Sequence, residues 1–524
     1  MTGLSVATIS ASAVGAGLAS IRWLRVAQRE HYLPGSLFLF ARRWWVRDPG
    51  HRVAATCAVG SVVGEGFVPG AGILGAIVVA VGPVGLGLRG RTGRLRWTRR
   101  LATIASIAAG EYGLAVGTAA VVGGLRLTAT VLAAAAVGSP IILEIALLLD
   151  RPLESVVARR YVRLARGKLQ RIRPIVVGIT GSYGKTSTKN YVVHLLSGTF
   201  SVVASPRSFN NRAGLARAVN ETLVVGTEIF VAEMGAYGPG EISAMVSWLA
   251  PRVAAITAIG PVHLERFRSL DRTFVAKAEI VAGADTVVLN VDDERLAGLA
   301  DALVADGRRV IRCSAEDRGC DVAVITARIG AELNVSGSRV GDLVRDSSHP
   351  MALTNVACAV GVACALGVPL GDIAARLGSL PVVEHRLEVA ASPSGVVVLD
   401  DTFNANPAGA RLALAALAAN ALVGVRKVVV TPGMVELGAR QTVENEIFAG
   451  EIARVATDLV VVGSTNRRAL LAGALKASSA RGASAPQLRA VTVGSRAAAV
   501  AWVRQELRRG DVVLYENDLP DQYP

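Results

Sequence analysis

No Cys-x-x-Cys pair occurs in the 524 residues, and the five cysteines, Cys57, Cys313, Cys320, Cys358 and Cys364, are an odd number at irregular spacing. That excludes a disulfide framework and a cysteine zinc site, and the expectation is buried free thiols in a reducing compartment. Aromatic residues are scarce at 5%, and histidine occurs six times. Charged residues amount to 19% against 52% hydrophobic, which excludes a disordered chain. Acidic residues are short in one region: residues 1–173 hold 22 Lys and Arg against 7 Asp and Glu, whereas the rest holds 34 of each. The whole net charge of +15 therefore belongs to one basic, apolar segment. The globular remainder has no excess charge for phosphates, so nucleic-acid binding is excluded as a reading. The length accommodates three or four domains.

Long apolar runs fill the basic segment. They cover residues 4–21, 53–88 with a break at Pro69-Gly70, 101–125 and 127–149, the last two separated by Arg126. A span needs about 20 apolar residues, so the expectation is a transmembrane domain over 1–150. It has one helix, a hairpin across 53–88 whose first arm is marginal, and a second hairpin across 101–149. Nothing basic precedes Leu4, which argues against a cleaved signal peptide. Arg22, Arg25, Arg29, Arg42, Arg43, Arg47 and Arg52 follow the first run, and Arg89, Arg91, Arg94, Arg96, Arg99 and Arg100 lie between the hairpins. Five spans with the N-terminus outside put these clusters in the cytoplasm and only Arg126 outside. Trp23, Trp44, Trp45 and Trp97 read as interfacial anchors. Glu65, Glu111 and Glu144 are functional candidates inside the apolar runs, with pairing to Arg126 or an interfacial place as the structural alternative. Residues 151–173, with Val156, Val157, Tyr161, Leu164 and Leu169 among the basic residues, read as a basic amphipathic linker on anionic lipid, with a plain solvated linker as the alternative.

From Pro174 the pattern changes to short β-rich runs alternating with helical ones, the mark of a mainly parallel α/β sheet. Strands are expected at 175–178, 201–204, 229–232, 254–258, 286–289 and 310–312. Ala-rich helices at 351–367 and 370–380 close the first unit. A second series at 396–399, 427–430, 459–462, 490–493 and 512–515 predicts another α/β domain, so the divisions are 174–388 and 389–524. Residues 178–186 read Gly-Ile-Thr-Gly-Ser-Tyr-Gly-Lys-Thr between a strand and a helix. Backbone N–H groups of such a loop cradle phosphates, Lys185 reaches their oxygens and Thr186 is placed to ligate Mg²⁺.

The loop T-G-S-x-G-K-T resembles that of the Mur ligase family, and further stretches extend the resemblance in order. They are Ser208-Phe209-Asn210-Asn211, Ala232-Glu233-Met234-Gly235, His263-Leu264-Glu265, Ala276-Lys277-Ala278-Glu279, Asn290-Val291-Asp292-Asp293, Arg386, Asp400-Asp401-Thr402-Phe403-Asn404-Ala405-Asn406-Pro407, and Gly433-Met434-Val435-Glu436-Leu437-Gly438. Together they are most similar to the branch that joins D-alanyl-D-alanine to the UDP-N-acetylmuramoyl-tripeptide. The resemblance implies a P-loop central ATPase domain followed by a C-terminal Rossmann-like α/β domain. It also implies an ADP-forming ligase that turns a carboxylate into an acyl phosphate and couples it to an amine, an amino acid or dipeptide. By the same resemblance Lys185, His263, Lys277 and Arg386 are catalytic. ATP is held by Gly181, Ser182, Gly184, Lys185, Thr186, Ser187, Asn290, Arg386, Asp401 and Asn404, with Asn406 on the nucleotide side of the cleft. Thr186 and Glu233 hold one Mg²⁺, and His263 with a carbamylated Lys277 a second.

The sequence departs from the family at His385, Pro432 and Glu444-Asn445, on the side expected to hold the incoming amine. The family's UDP-binding N-terminal domain is replaced by the apolar segment, with no room between 150 and 174 for another fold. The reading is a membrane-anchored ligase of peptidoglycan-precursor synthesis. Its catalytic domains are cytoplasmic, with membrane lipid a partner and a lipid-linked precursor the candidate source of the acceptor carboxylate. The alternatives are a membrane-bound poly-γ-glutamate synthetase and a non-catalytic membrane scaffold. A transporter lacks support, because the strand ending at Glu233 has no Walker-B aspartate.

Overall fold

A computed structural model describes residues 2–47, 49–89, 94–206, 209–328, 330–343, 351–381, 387–402, 405–420, 424–480, 488–519 and 523. The chain forms two compact units, Met1–Val157 with Leu519–Pro524, and Ala158–Asp518.

The first unit is helical: α1 Thr2–Arg29, α2 Ser36–Val46, α3 Pro49–Glu65, α4 Gly72–Val81, α5 Arg99–Val137 and the start of α6, Ser139–Ile172. The apolar run expected as a hairpin at 101–149 is divided differently. One non-helical residue, Gly124, breaks the path of α5 beside Arg126, and Gly138 separates α5 from α6. Among the described residues two helices, α1 and α5, are long and apolar enough to cross a membrane by length and composition. Leu114, Val121 and Val122 of α5 are 73–88% exposed.

Glu65, Glu144, Arg126 and Arg22 serve helix ends, where backbone groups lack helical partners. Glu65 accepts the N–H groups of Gly70 and Gly72, at 2.9 and 2.7 Å, at the start of α4. Glu144 accepts those of Gly35 and Phe38 at the start of α2. Arg126 donates to the carbonyls of Gly66 and Phe67, at 2.7 and 2.9 Å, just past α3. Arg22 is buried and donates to Val79 and Ala80, at 2.9 and 2.6 Å, in the last turn of α4. Glu65 and Glu144 thus cap helices and do not pair with Arg126, the structural alternative for them. Glu111 has no hydrogen-bond partner among the described residues.

The second unit begins within α6. Val162, Ala165 and Leu169 are buried against its core, while Val156, Val157, Tyr161 and Leu164 are exposed. Leu169, expected in a linker lying on lipid, therefore belongs to the interior. Among the described residues nine strands form the larger sheet: β1 Ile175–Thr180, β2 Val202–Ala204, β3 Ile229–Glu233, β4 Val253–Ile256, β5 Thr286–Asn290, β6 Arg309–Ser314, β7 Val322–Thr326, β8 Ala331–Val335 and β9 Ser338–Leu343. Their order is β2-β3-β1-β4-β5-β6-β7-β8-β9. Strands β1 to β7 pair in parallel, and β8 and β9 extend the sheet as an antiparallel meander that the hydrophobic pattern had not marked. Val176 of β1 faces one apolar layer and Val177 and Ile179 the other, as in a parallel sheet covered on both faces.

The smaller sheet holds β10 Glu388–Ala391, β11 Val397–Asp401, β12 Lys427–Thr431, β13 Asp458–Val462, β14 Arg489–Val493 and β15 Val512–Glu516, in the order β10-β11-β15-β12-β13-β14. All but β10 run parallel. In the larger sheet the chain leaves β1 for strands on both sides of it, and the crevice beyond the carboxyl end of such a strand is where ligands bind in doubly wound sheets.

Candidate active site

β1 ends at Thr180, and Gly181–Gly184 turn the chain into α7, Lys185–Leu196. The turn leaves the first backbone N–H groups of α7 unpaired within the helix, a setting for anions. Lys185 Nζ donates to the carbonyls of Gly181 and Ser182, at 2.7 and 3.2 Å, so the ammonium is held at the centre of the loop. The Ser182 hydroxyl donates to Gly260 O at 3.1 Å and accepts Gly260 N–H at 2.9 Å, tying the loop to the segment after β4.

Glu233, at the end of the neighbouring β3, is buried. Thr186 Oγ1 donates to its Oε2 at 3.0 Å and Asn210 Nδ2 to its Oε1 at 3.4 Å. Lys189, one turn along α7, lies 3.2 Å from Oε2 and is buried too. Burial pushes the Glu233 carboxyl up, but Lys189 and Lys185 outweigh it and hold the group below the usual carboxylate range. An ionised carboxylate next to a hydroxyl at a phosphate loop is the hard-oxygen donor set that suits Mg²⁺. Lys189 was not singled out in the sequence; its spacing of four from Lys185 is the only signal of it.

Lys277, on the helix Leu270–Ala278, is buried, with its ammonium position 5.7 Å from the Phe267 ring centre. Burial, reinforced by the charge of Lys185, lowers its pKa to about 7. His263 follows β4 at a left-handed φ of 53°. Its Nδ1 hydrogen-bonds the Glu436 carboxylate of the second lobe, and the Tyr237 ring stands edge-on at 4.9 Å. Among the described residues no three His, Cys, Asp or Glu side chains converge on one point.

A cavity of about 360 Å³ opens between the two lobes of this unit. Gly184, Ser187, Asn290, Asp401 and Asn406 line it, together with Asn355, which the sequence had not marked. Asn290 donates to Thr257 O at 2.9 Å, and Asn406 caps the helix Pro407–Ala419 through Gly409 N–H. Lys185, Glu233, His263 and Lys277 do not line this cavity. Lys185 and Thr186 lie in the chain between its lining residues Gly184 and Ser187, and Thr186 connects on to Glu233. Arg386 and Asn404 lie outside the described residues, as do Ser208, His385 and Phe403.

Residues 179–354 match the Mur ligase middle domain and residues 385–515 the Mur ligase glutamate ligase domain. The UDP-N-acetylmuramoyl-tripeptide–D-alanyl-D-alanine ligase of Mycobacterium leprae is 33% identical over 370 residues, covering 65% of this chain and 70% of that protein. The chain belongs to the Mur ligase family. Its Escherichia coli relative of the same description is 30% identical over 59% of this chain and 71% of its own length. Among solved structures, MurF of Thermotoga maritima in complex with ADP is similar at a TM-score of 0.57 and 26% identity, over 69% of this chain and 80% of that one. MurF of Acinetobacter baumannii gives 0.59 at 24% identity, over 69% and 77%. As a Mur ligase the chain is an ATP-dependent amide ligase.

In this loop Gly184 leaves no room for a side chain. Its φ is +83°, and a Cβ there would come within 2.2 Å of Asn355 Oδ1. Strain and overlap each cost of order 1–3 kcal/mol. Gly184→Ala is expected to weaken ADP binding tenfold or more by calorimetry; unchanged affinity would remove the loop from the nucleotide site.

Proposed function

We propose that this protein is a membrane-anchored Mur ligase that activates a carboxylate of a peptidoglycan precursor as an acyl phosphate and couples it to an amine. The observation that carries this reading is the Glu233 carboxylate held by Thr186 and Lys189 beside a phosphate loop whose Gly184 and Ser187 line the interlobe cavity. A carboxylate oxygen attacks the γ-phosphorus, the bond to the β-phosphate oxygen breaks and ADP leaves with its electron pair. The amine then attacks the acyl carbon, phosphate leaves with the former carboxylate oxygen, and the nitrogen loses a proton.

Lys185 orients the γ-phosphate and offsets its charge, and Arg386 contacts the transferring group. Asn290 meets the adenine and Asp401 the ribose, the family resemblance adds Asn404 to the nucleotide ligands, and Gly181, Ser182, Gly184 and Ser187 shape the phosphate and nucleoside ends. Thr186 and Glu233 would hold one Mg²⁺ and His263 with a carbamylated Lys277 a second; bound Mg²⁺ neutralises phosphate charge and lines up the reacting oxygens.

Lys277 as a neutral amine is suited to that modification: Nζ attacks CO₂ and releases a proton. Because its pKa is lowered to about 7, the neutral form dominates above that pH and the cation below it. Turnover at limiting bicarbonate is therefore expected to rise as pH increases through 7. Under ¹³CO₂ the protein should show a carbamate carbonyl resonance that Lys277→Arg lacks. Its presence at full strength in that variant would remove Lys277 from this role.

The domain reading is a helical membrane domain over 1–150, a basic linker over 151–173, and catalytic domains over 174–388 and 389–524 on the cytoplasmic side. The named relatives join D-alanyl-D-alanine to a UDP-linked tripeptide, and D-alanyl-D-alanine is the first amine to test. The matched regions begin at residue 179, and the helical unit ahead of them exposes large apolar side chains. That favours an acceptor presented at the bilayer, a lipid-linked precursor. In the solubilised full-length protein, ADP release should require the amine and be faster with a lipid-linked tripeptide than with the UDP-linked one. Equal rates would remove the lipid from the proposal, and ADP release with neither acceptor would remove the reading itself.

A further inference from the structure

His263 and Glu436 lie 173 positions apart, one in each lobe of the catalytic unit, and meet through Nδ1 and a carboxylate oxygen. Both are non-glycine residues in the left-handed region, at φ 53° and 63°, a conformation that persists only where surrounding structure enforces it. For Glu436 the enforcement is visible. Asn445 donates to Met434 O at 2.9 Å and accepts Met434 N–H at 2.8 Å. Asn466 donates to Pro432 O at 2.9 Å and Met434 O at 3.0 Å, and Asn517 to Gly433 O at 2.7 Å. Three buried amides thus fix residues 432–434, and the chain beyond delivers Glu436 to the other lobe. Glu265 N–H approaches Glu436 O at 3.4 Å, a second backbone-level contact at the same seam. On the far side the Tyr237 ring closes on the imidazole at 4.9 Å.

We propose that Glu436 is a positioning residue for His263: by accepting the Nδ1 proton it fixes the ring and its tautomer, leaving Nε2 as the nitrogen offered to a divalent cation. This rests on the reading of His263 as a cation ligand. A carboxylate behind a ligating histidine is a recurrent device that orients the ring and raises its basicity. Here it comes from the opposite lobe, so the second cation site is complete only when the lobes are together. Two of the departures from the family pattern, Asn445 and Pro432, find a use in this loop as well. Asn445 braces the loop through its backbone, and Pro432 O is the acceptor that Asn466 holds.

The test is Mn²⁺ binding followed by electron paramagnetic resonance in the solubilised full-length protein with a non-hydrolysable ATP analogue. Wild type should bind two Mn²⁺. Glu436→Gln should keep the first Mn²⁺ and the analogue affinity but bind the second about 10–100-fold more weakly. His263→Ala should lose the second ion, and adding Glu436→Gln to it should change nothing more. If Glu436→Gln melts early, Glu436→Asp at a temperature where it is folded should show the same selective loss. Identical Mn²⁺ titrations of wild type and folded Glu436 variants would overturn the proposal while leaving the ligase reading intact. Wild type binding only one Mn²⁺ would overturn the cation role of His263, and the positioning role with it.

Discussion

Lys185→Ala is expected to lower ATP turnover by about 10³-fold, roughly 4 kcal/mol of lost transition-state stabilisation. Its ammonium sits at the centre of the loop, 2.7 Å from Gly181 O, where a γ-phosphate oxygen would replace a carbonyl as its partner. The same charge acts on two further groups, helping to keep Glu233 ionised and Lys277 neutral. Its removal therefore lets Glu233 take up a proton more readily and Lys277 keep its proton to higher pH, which opposes both proposed cation sites at once. The loss should appear in kcat more than in ADP affinity, because the loop's backbone groups remain. A variant within tenfold of wild-type kcat would show that the loop does not carry the chemistry.

Glu233→Gln is expected to cost both stability and activity, and the two effects are separable. Removing one partner of a buried ion pair leaves Lys189 without its counter-charge, a change of about 3–5 kcal/mol that should lower the melting temperature of the catalytic unit by several degrees. Adding Lys189→Met removes the stranded charge and should restore most of that stability. Turnover, down by at least 100-fold in the single variant, should not return, since a neutral amide is a poor ligand for Mg²⁺. Recovery of activity along with stability would make Glu233 a packing residue and nothing more.

Much of this was legible in order along the chain. The alternation of short β-rich runs with helices located β1 to β6 and all of the C-terminal strands except β10, because a parallel sheet covered on both faces writes continuous apolar segments. The phosphate loop was legible because its glycines and Lys185 are adjacent in sequence. The β7–β9 meander was not: no helix separates its strands, so they fall outside the strand–helix alternation that marked the others, and β9 is largely solvent-facing. Lys189, Asn355 and the role of Glu436 were hidden for a different reason. Each acts through a partner distant in sequence, and no spacing rule encodes the fold that joins them. The acids of the apolar runs were noticed, but whether such a carboxylate binds a ligand or caps a helix depends on which helix start lies beside it. Glu65 and Glu144 turned out to cap.

The central claim is that the two lobes bring a carboxylate to the γ-phosphate of ATP. Oxygen transfer tests it most directly: the tripeptide acceptor, lipid-linked or UDP-linked, is labelled with ¹⁸O in its terminal carboxylate and incubated with ATP, Mg²⁺, D-alanyl-D-alanine and the full-length protein. An acyl phosphate intermediate predicts one ¹⁸O in each phosphate released, in step with amide formation. Phosphate released without label, its oxygen coming from water, would contradict the account.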